Sequence, residues 1–292
     1  MDTNQITQTI LSTINSLFGN MVSSIDNQVY SILDKLTFIS PDFLKDEQFM
    51  NIFGESPTSG ILLLANSFLL GFIIYFAIKH FLSILSLNPV QTPFQFILKL
   101  IIFGICMNEA IFFCEQIINI FYIISHAISS LGESLYNTEI SFSCLIDKLN
   151  TVIYIEQANI DLFTIDGIMK VMISTGFLSL IFSYSIRYVL LKILIFLSPF
   201  AILSLCTPNT SFLFKTWIKS FLSLLFLQVL VSLILLFVFS LNFDSNNLLS
   251  KFIFVGAIFV LIKANSYVRE LFGGVNLDFQ GGIQGIQGIL KK

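Results

Sequence analysis

The acidic residue Glu109 lies within a long apolar stretch of the chain, with Asn108 beside it. If a membrane span begins near Phe96, about 20 residues of helix cross the hydrocarbon core, and Glu109 falls near the bilayer midplane. A carboxylate is costly there and must face protein or water. Two roles fit this position: coupling to a proton or another ion, or a hydrogen-bonded contact with another span.

Three further residues interrupt or border apolar sequence nearer the C-terminus. Arg187 places a charge in a long apolar run, and Pro199 follows in the same run. Because proline frees a backbone carbonyl and bends a helix, Pro199 predicts a kink and a place for a gating hinge. Trp217 is the only tryptophan and lies between Lys215 and Lys219, which predicts an aromatic anchor at the lipid headgroups.

The remaining polar groups predict no reactive cluster. The cysteines at 106, 114, 144 and 206 have no CxxC spacing, and the histidines at 80 and 126 are isolated from them. Small apolar packing explains such cysteines better than a metal site. No nucleophile–base pair and no phosphate-binding glycine loop is found, so we expect no enzyme activity and no cofactor. Gln228, a lone amide in an apolar span, predicts a hydrogen bond to a neighbouring helix.

The amino-acid composition predicts the class of protein and the type of secondary structure in which these residues lie. Of 292 residues, 55% are hydrophobic, 33 are Phe and 11% are charged, against roughly 25% charged in soluble proteins. The mean hydropathy is +0.86. This predicts an all-α, polytopic membrane protein in contact with the lipid bilayer. The net charge of −3 argues against general nucleic-acid binding, which needs clustered basic residues.

The N-terminal part differs from the rest. Residues 1–37 carry apolar side chains at steps of three and four with polar residues between them, which predicts an amphipathic helix. It has too few basic residues to favour the lipid surface over packing against protein. We expect residues 1–59 to be an extracytoplasmic helix and linker, broken at Pro41 and between Gly54 and Gly60. No cleavable signal peptide is visible, so internal spans are expected to direct insertion.

Apolar runs of sufficient length predict the membrane spans. The predicted segments are spans one and two in 60–127 (Gly60 to Ile78 and Phe96 to about Ile117), an acidic extracytoplasmic loop or cap in 128–167, spans three to five in 168–272, and a flexible glycine-rich tail in 273–292. The run from Gly167 to Cys206 fits one long kinked helix or two short crossings. The last two spans are predicted at 221–241 and at about 250–267.

The distribution of basic residues distinguishes a single crossing at 167–206 from two short crossings. With a single crossing at 167–206, ten basic residues fall on one side and five on the other. The ten are Lys79, Lys99, Arg187, Lys192, Lys215, Lys219, Lys263, Arg269, Lys291 and Lys292. Basic residues favour the cytoplasmic side, so we expect five spans, an outer N-terminus and a cytoplasmic C-terminus.

One stretch resembles a known family. It begins at Arg187 and continues through Ser198-Pro199-Phe200-Ala201, Thr207-Pro208-Asn209-Thr210 and Phe214-Lys215-Thr216-Trp217, before a long apolar span and a short one that ends near Gly273-Gly274. This arrangement resembles the TrbL-type conjugal-transfer proteins, the polytopic subunits of type IV secretion machines. The resemblance covers roughly residues 60–275.

The resemblance implies a non-enzymatic channel or scaffold subunit in the cytoplasmic membrane. Such a subunit would be homo-oligomeric and would work with cytoplasmic ATPases and other secretion subunits to pass DNA or protein. Arg187, Pro199 and Trp217 match the family pattern at the join between spans three and four, which implies positioning roles there. The alternative is an ion- or proton-coupled small-molecule transporter that uses Glu109. The sequence shows no inverted repeat that would favour it.

Overall fold

The computed structural model describes residues 27–54, 56–86, 93–153, 164–241 and 248–272, and four single helical positions at 9, 12, 13 and 16. All regular structure within these ranges is helical. The predicted helix over 1–37 lies mostly outside the described residues, and so does the tail at 273–292. Only the last eleven residues of the predicted N-terminal helix, Asn27–Thr37, are described as one continuous helix.

The helices follow one another in the order of the chain. The first three are α1 (Asn27–Thr37), α2 (Glu47–Phe53) and α3 (Gly60–Ser86), with a 3-10 turn at Pro41–Leu44 between α1 and α2. The next three are α4 (Pro93–Asn108), α5 (Ala110–Tyr136) and α6 (Phe142–Ile153). The last three are α7 (Ile165–Leu203), α8 (Ser211–Phe239) and α9 (Leu248–Phe272), with a 3-10 turn at Ser204–Cys206 after α7.

Five of the described helices are long and apolar enough to cross a membrane. They are Gly60–Ile84, Ala110–Tyr136, Gly167–Cys206, Ser211–Phe239 and Leu249–Phe272. The regular structure of the described residues is thus all helical, as predicted, and their five long apolar helices suggest a multi-pass membrane protein. The apolar run at 167–206 forms one continuous helix, so the prediction of a single long helix, rather than two short crossings, is confirmed.

Helix α7 organises the bundle because it contacts both of its buried apolar clusters. At 1.5 Å per residue, its 39 residues extend about 58 Å, roughly twice the hydrocarbon core. The upper cluster contains Tyr184 and the residues of α7 before it, packed with α6, α9 and the second half of α8. The lower cluster contains Leu191 and the residues after it, packed with α4, the start of α5 and the first half of α8. Arg187 lies between the two clusters along α7.

The second predicted span has different bounds in the structure. A single helix from Phe96 to Ile117 was expected, with Glu109 near its middle, but α4 ends at Asn108 and α5 begins at Ala110. Glu109 adopts φ −92° and ψ 17° at the junction, outside regular helix geometry. The Glu109 N–H still donates to the Ile105 carbonyl at 3.2 Å, so the two helices meet at a kink. The helix expected from Phe96 to Ile117 is thus interrupted at Glu109, and the candidate span in this region runs from Ala110 to Tyr136.

The predicted break between the N-terminal part and the first span is confirmed. Gly54 and Gly60 have φ values of +108° and +56°, a region that favours glycine because side chains clash there. A Cβ at Gly60 would also approach the Ile52 carbonyl oxygen too closely. The chain therefore turns sharply between α2 and α3. The predicted loop or cap at 128–167 contains the end of α5 and the whole of α6.

Candidate functional site: the Arg187 junction

Arg187 is fully buried at 0% exposure near the middle of α7. Its Nε–H donates to the Leu224 carbonyl of α8 at 2.7 Å, and Nη1 donates to the Thr37 carbonyl at 2.8 Å and the Leu36 carbonyl at 3.4 Å. Nη2 lies 3.4 Å from Gln228 Oε1 of α8. One guanidinium group thus joins α7 to α8 and to the end of α1.

The end of α1 provides the charge complement that Arg187 needs. The carbonyls of Leu36 and Thr37 belong to the last turn of α1, where they lack N–H donors within the helix. The C-terminus of a helix also carries a partial negative charge from the aligned peptide dipoles. A cation placed there stabilises the helix end, and the carbonyls replace the water that the guanidinium has lost. Arg187 therefore caps α1 from within the bundle.

Gln228 extends the same junction to the chain that follows α1. Its Oε1 accepts from the Ile39 N–H at 3.2 Å, and the amide is 0% exposed. Because Gln228 Oε1 also accepts from Arg187 Nη2 of α7 at 3.4 Å, the predicted hydrogen bond to a neighbouring helix is confirmed. Within the described part of the chain, Gln228 Nε2 and the buried Tyr184 hydroxyl have no hydrogen-bond partner. The junction is therefore polar at its centre and apolar around it.

Asp34 joins α1 to the beginning of α6. Its carboxylate accepts from the Phe142 N–H at 2.8 Å, the Ser143 N–H at 3.3 Å and the Ser143 hydroxyl at 2.8 Å. Phe142 and Ser143 are the first two residues of α6, so a carboxylate there caps the positive end of that helix. Burial raises the pKa of Asp34, and these hydrogen bonds oppose that effect.

A second cation of α7 holds the segment between α1 and α3. Lys192 Nζ lies 2.8 Å from Asp46 Oδ2, and the hydrogen bond from Lys192 lowers the pKa of Asp46. The same ammonium lies 5.4 Å from the ring centroid of Phe43, 5.3 Å from that of Phe49 and 5.4 Å from that of Tyr188. These distances are typical of cation–π contacts. Lys192 therefore binds residues 43–49 to α7.

These contacts correct part of the predicted topology. The charge count placed residues 1–59 outside and assigned Arg187 and Lys192 to the inner side. In the structure, Arg187 bonds to Thr37 and Lys192 to Asp46, so residues assigned to opposite sides are in direct contact. The assignment failed because both cations lie near the middle of a 39-residue helix instead of at its end. Residues 27–54, here called the N-terminal wedge, pack within the bundle.

Trp217 differs from the predicted headgroup anchor. It is 8% exposed, and its indole Nε1–H donates to the Leu194 carbonyl of α7 at 2.7 Å. Its ring stacks on Phe221, with centroids 5.4 Å apart. Trp217 therefore joins α7 to α8, and the anchor prediction was wrong because flanking lysines alone do not show which face of a helix is buried.

Pro199 lies inside α7, close to its C-terminal end. The carbonyl that a proline at 199 leaves without its helical donor is that of Ile195. The Ser198 hydroxyl donates to this carbonyl at 2.6 Å. The helix therefore tolerates Pro199 because the residue beside it replaces the missing hydrogen bond.

The structure brings Arg187 and Trp217 to the same α7–α8 interface, with Trp217 and Leu224 two turns apart on α8. Comparison with known proteins gives no match. No family model, no curated protein and no solved structure is similar to the chain. Among the described residues there is also no group of three His, Cys, Asp or Glu side chains that could hold a metal ion.

Sequence reasoning missed the N-terminal wedge as a partner of Arg187. Its carbonyl acceptors are backbone groups and leave no sequence signature. One signal was present, however: Phe38, Phe43, Phe49 and Phe53 recur in a segment that was predicted to lie outside the membrane. Phe43, Phe49 and Phe53 are buried in the lower cluster. Several aromatic residues in a predicted linker therefore indicate a docked segment.

Proposed function

We propose that this chain is a non-enzymatic channel or scaffold subunit of a type IV secretion apparatus of the TrbL type. The observation that carries the proposal concerns the three residues of the resemblance. Arg187, Pro199 and Trp217 are all buried in α7 and α8, and two of them bond one helix to another. Residues used in this way position helices, which is the work of a scaffold.

The surface of the bundle supports an oligomeric, lipid-embedded subunit. In the most apolar window of α3, only 11% of the residues are buried, against 61% in α8. The apolar side of α3 must be covered by lipid or by another subunit. We propose that several copies surround a conduit in the cytoplasmic membrane and pass DNA or protein with the help of cytoplasmic ATPases.

The proposed orientation keeps the N-terminus outside and the C-terminus in the cytoplasm. It is supported by the basic residues at one end of the bundle. Lys79 lines the same cavity as the α7–α8 loop, and Lys215 and Lys219 follow that loop in the first turns of α8. A cluster of lysines at one end favours the cytoplasmic side for that end.

The transporter alternative has no supporting observation. It required Glu109 inside a span, facing protein or a water-filled path. Glu109 is exposed at the α4–α5 kink, and the long span begins after it.

The proposal is tested by co-expressing the chain with the proteins encoded beside it and purifying it in mild detergent. Cross-linking mass spectrometry should find a discrete ring-sized oligomer attached to an ATPase. The Glu109→Gln variant should assemble like the wild type and support transfer at the same frequency. A monomer or dimer without secretion partners would contradict the proposal, and loss of substrate uptake in Glu109→Gln would favour the transporter.

A further inference from the structure

An open cavity of about 590 Å³ lies between α3, α4 and the loop that joins α7 to α8. We call it the basal cavity. Four phenylalanines form its wall, namely Phe68, Phe72, Phe76 and Phe96. Its rim carries one cation, Lys79, and the polar loop from Thr207 to Thr210. The volume is in the range of roughly 300–1,000 Å³ that small-molecule sites occupy.

The wall of the basal cavity is held in place by packing between two helices. Phe76 of α3 and Phe96 of α4 stack with ring centroids 3.7 Å apart and planes 2° from parallel. Phe96 is only 4% exposed. The aromatic surface therefore exists before any occupant arrives.

The polar rim is also preformed. Thr210 Oγ1 donates to the Ser204 carbonyl at 2.6 Å, and it lies 2.6 Å from Thr207 Oγ1. These bonds fix the turn between α7 and α8. Asn209 lies between the two threonines and is exposed. Its side-chain amide has no hydrogen-bond partner among the described residues, so it is available to a ligand.

The charge of the rim is positive. Lys79 is exposed, its ammonium lies 6.0 Å from the Tyr75 ring centroid, and it forms no salt bridge with any described residue. None of the described residues that line the cavity is acidic. Lys99, one helical turn after Phe96 in α4, adds a second positive charge near this wall.

We propose that the basal cavity binds an anionic glycerophospholipid. An acyl chain lies against the four phenylalanines, and the phosphate accepts hydrogen bonds from Lys79 and Asn209. The apolar wall matches a hydrocarbon chain, and an ammonium–phosphate hydrogen bond is stronger than a neutral one. Basic pockets between membrane helices bind anionic head groups for this reason. This inference is independent of the proposed role in secretion.

The head-group part of the inference is tested on the full chain in a neutral detergent. Phosphatidylglycerol and phosphatidylcholine with identical acyl chains are titrated separately, and native mass spectrometry counts the bound molecules. Phosphatidylglycerol should bind about fivefold more tightly, the equivalent of about 1 kcal/mol for one lysine. Lys79→Gln should remove this preference. Lys263→Gln, which changes an exposed lysine of α9, should retain it.

The acyl-chain part is tested by filling the cavity. Gly71 lines it, and a Cβ at this position would meet no atom within 4 Å. Gly71→Leu should therefore fold normally and lose the bound lipid. Gly256→Leu is the matched control, because a Cβ there also meets nothing within 4 Å but lies in a different groove.

Three results would overturn the inference. The wild type would bind neither lipid, or it would bind phosphatidylglycerol and phosphatidylcholine equally, or Gly71→Leu would keep its phosphatidylglycerol. Equal thermal unfolding of Gly71→Leu and the wild type shows that a loss of lipid comes from the filled cavity. Loss of binding in Gly71→Leu together with loss of lipid preference in Lys79→Gln would establish both parts.

Discussion

A buried arginine in an apolar bundle needs acceptors that the bundle itself must supply. Arg187 obtains them from three backbone carbonyls and one amide oxygen. Charged residues within membrane spans pair with one another or with backbone carbonyls for this reason. The acceptors of Arg187 come from two other elements, so satisfying its charge also fixes how those elements are placed.

Arg187→Met should destabilise the protein by about 3 kcal/mol. The substitution leaves the carbonyls of Leu36 and Thr37, at the end of α1, without their donor, and removes the second donor of the Leu224 carbonyl. Each unsatisfied buried group costs about 1 kcal/mol or more. Arg187→Lys keeps the charge but loses the planar fork, so its loss should be smaller. Thermal unfolding in detergent measures both effects. Lys263→Met, on an exposed site, is the control, and an unchanged melting temperature for Arg187→Met would show that the junction adds no stability.

For single residues, the sequence could predict which side chains have a structural role, but it could not predict which groups they contact. Gln228 was expected to bond to a neighbouring helix, and it accepts a hydrogen bond from Arg187 of α7. A lone amide in an apolar helix needs such a partner because leaving it unpaired is costly. Trp217 was expected at the headgroups and is buried instead. The difference arises because burial depends on the neighbouring helix, whose register the local sequence does not encode.

The N-terminal wedge is the element that departs most from expectation. It contacts α6 through Asp34, α7 through Lys192 and the junction through α1. Its last part, at Phe49 and Phe53, stacks on Phe196 of α7. The wedge is therefore an integral part of the helix packing, joined to the spans by both polar and aromatic contacts.

The net contribution of Asp34 to the stability of the fold should fall as the pH rises. Burial raises the pKa of Asp34 above 3.8, so the folded state binds this proton more tightly than the unfolded state. Stability from this group is fully present below pH 3.8 and is lost as the pH rises through the folded-state pKa. The melting temperature of the wild type, compared with that of Asp34→Asn across this window, measures the effect.

Asp46→Asn is the control, because the contribution of Asp46 to stability depends on pH in the opposite direction. The hydrogen bond from Lys192 lowers the pKa of Asp46 below 3.8, so its contribution is present above pH 3.8 and is lost as the pH falls through the folded-state pKa. Asp46→Asn should therefore change the pH profile only below 3.8. If the profile of Asp34→Asn runs parallel to the wild type above pH 3.8, the carboxylate of Asp34 is not buried as described.

The long helices were predictable because apolar length is a property of the local sequence. The run from Gly60 to Ile78 falls inside α3. The runs at 167–206 and 221–241 lie within α7 and α8 except for their last three and last two residues. The break at Glu109 was not predictable in this way, because neither of its direct neighbours, Asn108 and Ala110, is a proline or a glycine.

For the whole molecule, α7 is the element on which the bundle is built. It runs through both apolar clusters, and its two central cations hold the N-terminal wedge. Five apolar helices give the chain its multi-pass character. The charge count treated each cation as a marker of the nearest membrane surface, which does not hold for residues in the middle of a helix that is longer than the membrane core.

The docking of the N-terminal wedge against α7 is tested most directly by thiol cross-linking in native membranes. Asp46→Cys and Lys192→Cys are introduced together in a chain whose four cysteines are replaced, and a short bifunctional thiol reagent is added. Efficient cross-linking of this pair is expected, with none for the control pair Asp46→Cys and Lys263→Cys. Absence of the first cross-link, together with free labelling of position 46 by a membrane-impermeant thiol reagent, would contradict the account.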